Sequence, residues 1–296
     1  MKSSFCTAAR ATFIACALTL LAPNAHSFTI DTSSSAASSM TGLWNNATEA
    51  GWGTAVIQQF GMMFVTMYSY DASGTPVWYV ASACAVSADR CSGPLYRVTG
   101  GRAPTVAWNA PSTVVAQVGT LTMTFADLNN ATMAFTIDGS SGSKVVSRYV
   151  FALAPTPASF GAPPSPMFSI DTSSTSTSPL TGLWNNASET GWGAAVIQQF
   201  GMMFVTMYTY DASGNAVWYV ASACAVSASQ CSGPLYKVNG GLPPTVAWNA
   251  PRTVVTQVGT LTISFSDLNT ATMAFTINGA SGSKTLSRYV FALAPP

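Results

Sequence analysis

Hydrolysis of a glycosidic bond needs two carboxyl groups at a fixed separation, and the best-spaced pair in this chain is Glu49 and Asp71, with Glu189 and Asp211 as a second set. Asp71 also opens the stretch Asp71-Ala72-Ser73-Gly74, where an aspartate side chain bonds the backbone ahead of it and shapes a turn. Glu49 precedes Gly51-Trp52-Gly53 in a loop, has no such local duty, and stands as a binding candidate together with Glu189. Ser141-Gly142-Ser143-Lys144 spells S-x-x-K, but the motif sets a serine beside a lysine base only at the start of a helix. Here it sits in a Gly/Ser-rich stretch that reads as a hairpin tip.

Aromatic residues are the other group able to form a site. Trp52, Tyr70 and Trp78 recur as Trp192, Tyr210 and Trp218, and their faces suit stacking on a sugar ring or lining an apolar pocket. Period-two alternation puts Trp52 with Thr54, Val56 and Gln58, and Tyr68 and Tyr70 with Phe64 and Thr66. These mixed faces are expected to border the mouth of a cavity, with packing as the competing duty for each ring. Met62, Met63 and Met67 read as core filling, since no cysteine or histidine completes a soft-metal shell around them. The only histidine is His26. Removal of the first 27 residues takes it away, and with it Ser-His-Asp triads and histidine-ligated metals. We therefore expect no enzyme, no metal and no cofactor.

Those 27 residues have the order of a secretory signal peptide: Lys2 and Arg10, an apolar run from Ala11 to Leu21, then Ala25-His26-Ser27. The expected location is extracellular or periplasmic. Cleavage leaves nine basic residues against ten acidic ones, a formal charge of −1, which offers nucleic acid no electrostatic footprint. Of the six cysteines, Cys84, Cys91, Cys224 and Cys231 remain. In an oxidising compartment they are expected to pair as Cys84–Cys91 and Cys224–Cys231, each across a hairpin.

The elements that position these residues come twice. Residues 41–155 match residues 181–295 at 93 of 115 positions without a gap, a repeat long enough to be a domain. The chain divides into a Ser-rich lead-in (28–40), repeat 1 (41–154), a Pro/Ser/Thr-rich linker (155–180) and repeat 2 (181–296). The linker composition is expected to let the repeats move relative to each other. Within a repeat, apolar residues alternate with Thr and Ser, as in Leu121, Met123 and Phe125, and no segment has a helical period. Strands are expected near 41–46, 52–60, 62–71, 77–87, 91–99, 114–126, 131–138 and 144–153. The fold class is all-β: two tandem eight-stranded antiparallel up-and-down β-barrels, since closure removes exposed edges, with β-sandwiches as the alternative.

Gly42-Leu43-Trp44 on the first strand and Arg148 on the last resemble the calycins, the lipocalin and avidin superfamily, and Gly182-Leu183-Trp184 with Arg288 repeat the pattern. The resemblance implies that Trp44 and Trp184 pack beneath Arg148 and Arg288 to close each barrel. The string Gly42-Leu43-Trp44-Asn45-Asn46, Gly51-Trp52-Gly53, Tyr70-Asp71 and Trp78-Tyr79 also resembles a repeat of exported bacterial proteins of undefined function. The functional expectation is a secreted, non-catalytic protein with two equivalent aromatic-rich sites for a small apolar or carbohydrate ligand. An extracellular structural or adhesive protein, through self-association or a cell-surface matrix, is the alternative. An outer-membrane barrel and a hydrolase are weaker readings, and a membrane partner is not expected.

Overall fold

The computed structural model describes residues 40–110, 113–153, 179–250 and 253–293. The expected signal peptide, nearly all of the Ser-rich lead-in and most of the linker lie outside the described residues. Repeat 1 forms β1 (Gly42–Asn45), β2 (Gly53–Gln59), β3 (Met62–Tyr70), β4 (Pro76–Ser87), β5 (Arg90–Thr99), β6 (Val114–Phe125), β7 (Asn130–Ile137) and β8 (Ser140–Arg148). Repeat 2 follows with β9 (Gly182–Asn185), β10 (Gly193–Gln199), β11 (Met202–Tyr210), β12 (Ala216–Ser227), β13 (Gln230–Asn239), β14 (Val254–Phe265), β15 (Thr270–Ile277) and β16 (Ala280–Arg288). Each set closes into an antiparallel barrel in chain order, the last strand pairing with the first. The barrel reading holds and the sandwich is excluded.

The interior is filled as expected for eight strands. Leu121, Met123 and Phe125 on β6 and Met133 and Phe135 on β7 face inward, while Thr120, Thr122, Thr124, Thr132 and Thr136 face out. Met63, Val65 and Met67 come in from β3 to meet them, fully buried, so Met63 and Met67 are core, whereas Met62 is half-buried on the opposite face of the strand. Cys84 on β4 is bonded to Cys91 on β5, and Cys224 to Cys231, each with Cα atoms 5.2 Å apart. These are the hairpin disulfides expected from the spacing, and they fit an oxidising environment.

The last strand begins earlier than the sequence suggested. Asp138 and Gly139 both take positive φ, 48° and 82°, and form a two-residue turn of the type that suits a twisted hairpin. Ser140 therefore already pairs with Ile137, and Lys144 with Met133. The S-x-x-K segment lies on β8, not at a hairpin tip. Its lysine faces the barrel interior beside Met133.

The strand also ends earlier, at Arg148, because residues 149–153 leave the barrel for the other repeat. Gln199 on β10 accepts hydrogen bonds from the backbone N–H of Phe151 (2.9 Å) and Ala152 (3.2 Å), and donates to the carbonyl of Tyr149 (2.9 Å). The rings of Tyr149 and Phe151 pack on Phe204. Gln59 binds Phe291, Ala292 and Tyr289 in the same way, with Phe64 beneath the rings.

The two barrels therefore do not move freely about the linker. Strands β2 and β3 and the first half of β4 (76–81) are largely buried on both faces, one toward the barrel interior and the other against the partner barrel. Contacts across the boundary come in reciprocal pairs. The Gly100 N–H donates to the Gly214 carbonyl and the Gly240 N–H to that of Gly74, at 2.9 and 2.8 Å. This is the isologous pattern of a twofold dimer, written here into one chain.

Candidate functional site

One end of each barrel holds the tryptophan–arginine pair that the sequence singled out, and the other holds a buried ion pair. At one end the Arg148 guanidinium lies 4.8 Å over the Trp44 ring and donates to the carbonyls of Thr41 (2.7 Å) and Leu128 (2.8 Å). Arg288 does the same over Trp184 at 4.9 Å, with the carbonyls of Thr181, Leu268 and Pro179 as acceptors. Burial lowers the pKa of both arginines from the ordinary value. A Cβ on Gly42 would lie 2.6 Å from the Arg148 Nη1 atom. The glycine two residues before the tryptophan is thus the space that the guanidinium fills.

At the other end, Lys144 reaches up from β8 to Glu49, 2.7 Å away, with both side chains about one-eighth exposed. The second Glu49 oxygen accepts the indole N–H of Trp52 at 3.2 Å. A buried charge survives only when paired and hydrogen-bonded, and Lys144 and Trp52 supply both conditions. The copy keeps the Lys284–Glu189 pair at 2.7 Å, while Glu189 Oε2 and Trp192 Nε1 are both buried and make no hydrogen bond.

Asp71 is equally committed. Its Oδ1 accepts from the Ser73 backbone and hydroxyl and from the Thr75 backbone, at 2.6–3.0 Å. Partial burial acts to raise its pKa, but the three hydrogen bonds outweigh it and hold the carboxyl below the ordinary value. Asp211 forms the same turn.

The remaining aromatic candidates meet at the boundary between the barrels. Trp78 donates its indole N–H to the Thr209 carbonyl and Trp218 to that of Ser69, both at 3.0 Å. Trp218 packs on Tyr68 and Tyr70 with ring centroids 5.3 and 5.8 Å apart, and Trp78 on Tyr208 and Tyr210 at 6.1 and 5.8 Å. Tyr70 and Tyr210 each donate a hydroxyl at 2.7 Å, to the carbonyls of Gly51 and Gly191. The two faces read from alternation therefore separate. Thr54, Val56 and Gln58 point into the barrel with Trp44, whereas Phe64, Thr66, Tyr68 and Tyr70 point at the other barrel.

Where the two surfaces part, they leave a cleft of about 320 Å³. Trp52, Tyr68 and Tyr149 line it from one side, and Phe204, Thr206 and Trp218 from the other. No charged side chain is among its lining residues. The offset of 140 residues puts Trp192, Tyr208, Phe64, Thr66 and Trp78 at the corresponding places across the pseudo-twofold. Of the eight ligand-site candidates, Trp52 and Trp218 line the cleft, Glu49 and Tyr70 brace its walls through Trp52 and Gly51, and Trp78, Trp192, Tyr210 and Glu189 hold the matching positions in the other half.

Tyr149, Phe204 and Thr206 did not emerge as site residues from the sequence. The signal for Phe204 and Thr206 was the loss of polar alternation along residues 202–210, where both faces are apolar or aromatic. Compared with known proteins, the chain matches no family model, no curated protein and no solved structure.

Proposed function

We propose that the chain is an exported, non-catalytic binding protein that takes a small ligand in the cleft between its two barrels rather than inside them. The observation that carries this reading is the 320 Å³ cleft walled by aromatic rings from both repeats, a volume at the lower end of small-molecule sites. The filled barrel interiors support it, as do the commitments of Glu49 to Lys144 and of Asp71 to its own turn, which leave neither carboxylate free for acid–base work. Export is supported by the signal-like leader and the two disulfides. The threonine-lined outer face of β6 and β7 is that of a barrel in water rather than in lipid.

Titration calorimetry on the mature chain against neutral saccharides and apolar metabolites tests the reading. At least one class binds saturably, and Ala50→Trp with Thr190→Trp, which add bulk at a residue lining the cleft and at its counterpart in the other repeat, removes the signal. Binding that survives both substitutions places the ligand elsewhere and defeats the proposal.

One observation favours the adhesive alternative. Val114 and Val115, with Val254 and Val255, lie about 60% exposed where β6 and β14 run past the reach of β7 and β15, and an uncovered apolar strand edge invites pairing. Sedimentation at rising concentration separates the readings: Val115→Lys with Val255→Lys abolishes any association that the edge mediates and leaves ligand binding intact.

A further inference from the structure

The face on which the barrels dock carries the same contact residues in both copies. Tyr70, Trp78 and Gly101 of repeat 1 stand as Tyr210, Trp218 and Gly241 in repeat 2. Trp78 packs on Tyr210 and Trp218 on Tyr70, while Gly101 lies against the Tyr210 ring and Gly241 against that of Tyr70. Gln59 and Gln199 hold residues 289–293 and 149–153, and both of these segments read Tyr-Val-Phe-Ala-Leu. Ser69 and Thr209 differ in side chain, but each takes part through its backbone carbonyl. Beside Gly101, Arg102 donates to the Ala107 carbonyl of its own loop. Leu242 replaces it in repeat 2, so two second repeats would bring no charge to this contact.

An isologous interface pairs residue i of one side with residue j of the other, and j with i. With these residues identical, exchanging repeat 1 for another repeat 2 keeps every one of the contacts just named. Independently of any ligand in the cleft, we infer that this face is a homotypic recognition surface, whose partner outside the chain is the same face on a second copy.

Covalent connection favours the internal pair, because a flexible link presents one repeat to the other at an effective concentration on the order of millimolar. It adds no contact that a neighbouring chain lacks. A chain whose internal pair opens uncovers Phe204, Tyr210 and Trp218, aromatic anchors of the kind that drive association. Their complement stands ready on every other opened copy. Two opened chains that join through one repeat each still have two faces free, so exchange of partners builds assemblies in series.

Gly101→Val damages the first face alone, since its side chain meets the Tyr210 ring. The backbone there does not require glycine, as the positive φ of this loop falls at Gly100. Two such chains keep undamaged second faces, and a pair of these sets only Gly241 against Tyr210. Sedimentation equilibrium of the mature variant is expected to give twice the wild-type mass and no larger species, because the damaged first faces cannot extend the series. Adding Trp78→Ala tightens the dimer, because the internal pair then also loses the indole bond to Thr209. Gly101→Val with Gly241→Val leaves no undamaged pair and stays at the monomer mass, which separates face-to-face docking from adhesion of exposed apolar surface. The Gly101→Val dimer persists when Val115→Lys and Val255→Lys are added, which separates it from pairing of strand edges. A monomer mass for both Gly101→Val and its Trp78→Ala derivative overturns the inference, whether the barrels stay docked or part. An undamaged pair between chains would then have failed to displace a damaged pair within one. A dimer that also forms with both glycines replaced, or that is lost with the two valines, overturns it as well.

Discussion

Trp78 of the first barrel donates its indole N–H to the backbone carbonyl of Thr209 in the second at 3.0 Å, and Trp218 returns the same bond to Ser69. A tryptophan that meets both an apolar surface and a backbone acceptor is an anchor of the kind found at the centre of dimer interfaces. The duplicated sequence thus encodes a docked pair rather than two domains on a tether.

Docking depends on glycine at two loop positions. A Cβ on Gly101 would lie 1.9 Å from the Tyr210 ring, and one on Gly241 the same distance from Tyr70. Gly101→Val with Gly241→Val is expected to separate the barrels without unfolding them. The radius of gyration by X-ray scattering increases and tryptophan emission shifts to the red, while the disulfide-closed barrels keep their far-ultraviolet spectrum. An unchanged radius would show that the barrels are held by something other than this face.

The ion pair inside each barrel is expected to be costly to break and cheap to replace. Lys144→Met leaves Glu49 buried without a counter-charge and destabilises the chain by about 3–5 kcal/mol in denaturant unfolding. Adding Glu49→Gln restores most of the loss, because the uncompensated charge is gone. Equal effects of the single and double variants would place the lysine's contribution in its packing.

Alkaline pH is expected to open the molecule at the boundary. Burial raises the pKa of Tyr68, Tyr70, Tyr208 and Tyr210 above the ordinary value, helped at Tyr68 by Tyr149 and at Tyr70 and Tyr208 by Tyr68. A folded pKa above the unfolded value of about 10 means stability that is complete below that pH and is lost as pH rises past it. Phenolate absorbance therefore appears together with the loss of near-ultraviolet circular dichroism. Titration of these tyrosines near their ordinary pKa in a still-folded protein would contradict the burial.

The barrel was legible because alternation along Leu121, Met123 and Phe125, with threonines between, declares one inner and one wet outer face. The docking face was less so. Phe64, Thr66, Tyr68 and Tyr70 read as a mixed face at a cavity mouth, whereas opposite them Met63, Val65 and Met67 already filled the interior. In an antiparallel meander, a strand apolar on both sides needs a second covering surface, and that surface is the other repeat. The Glu49–Lys144 pair was hidden for a different reason. The partners are 95 residues apart, and the turn at Asp138-Gly139 that sets the register of Lys144 was read as three residues longer than it is. Thr206 became visible as a lining residue only once the two barrels were seen docked, since the cleft lies between them.

The most direct test of the cleft is fluorine NMR of the chain labelled with fluorotryptophan, recorded as cellobiose is added. Trp52 and Trp218 line the cleft, whereas Trp44 and Trp184 lie sealed in the barrel interiors beneath Arg148 and Arg288. The account predicts that the resonances of Trp52 and Trp218 shift with saturation while those of Trp44 and Trp184 stay in place. Shifts confined to Trp44 and Trp184, or none at any tryptophan, would contradict it.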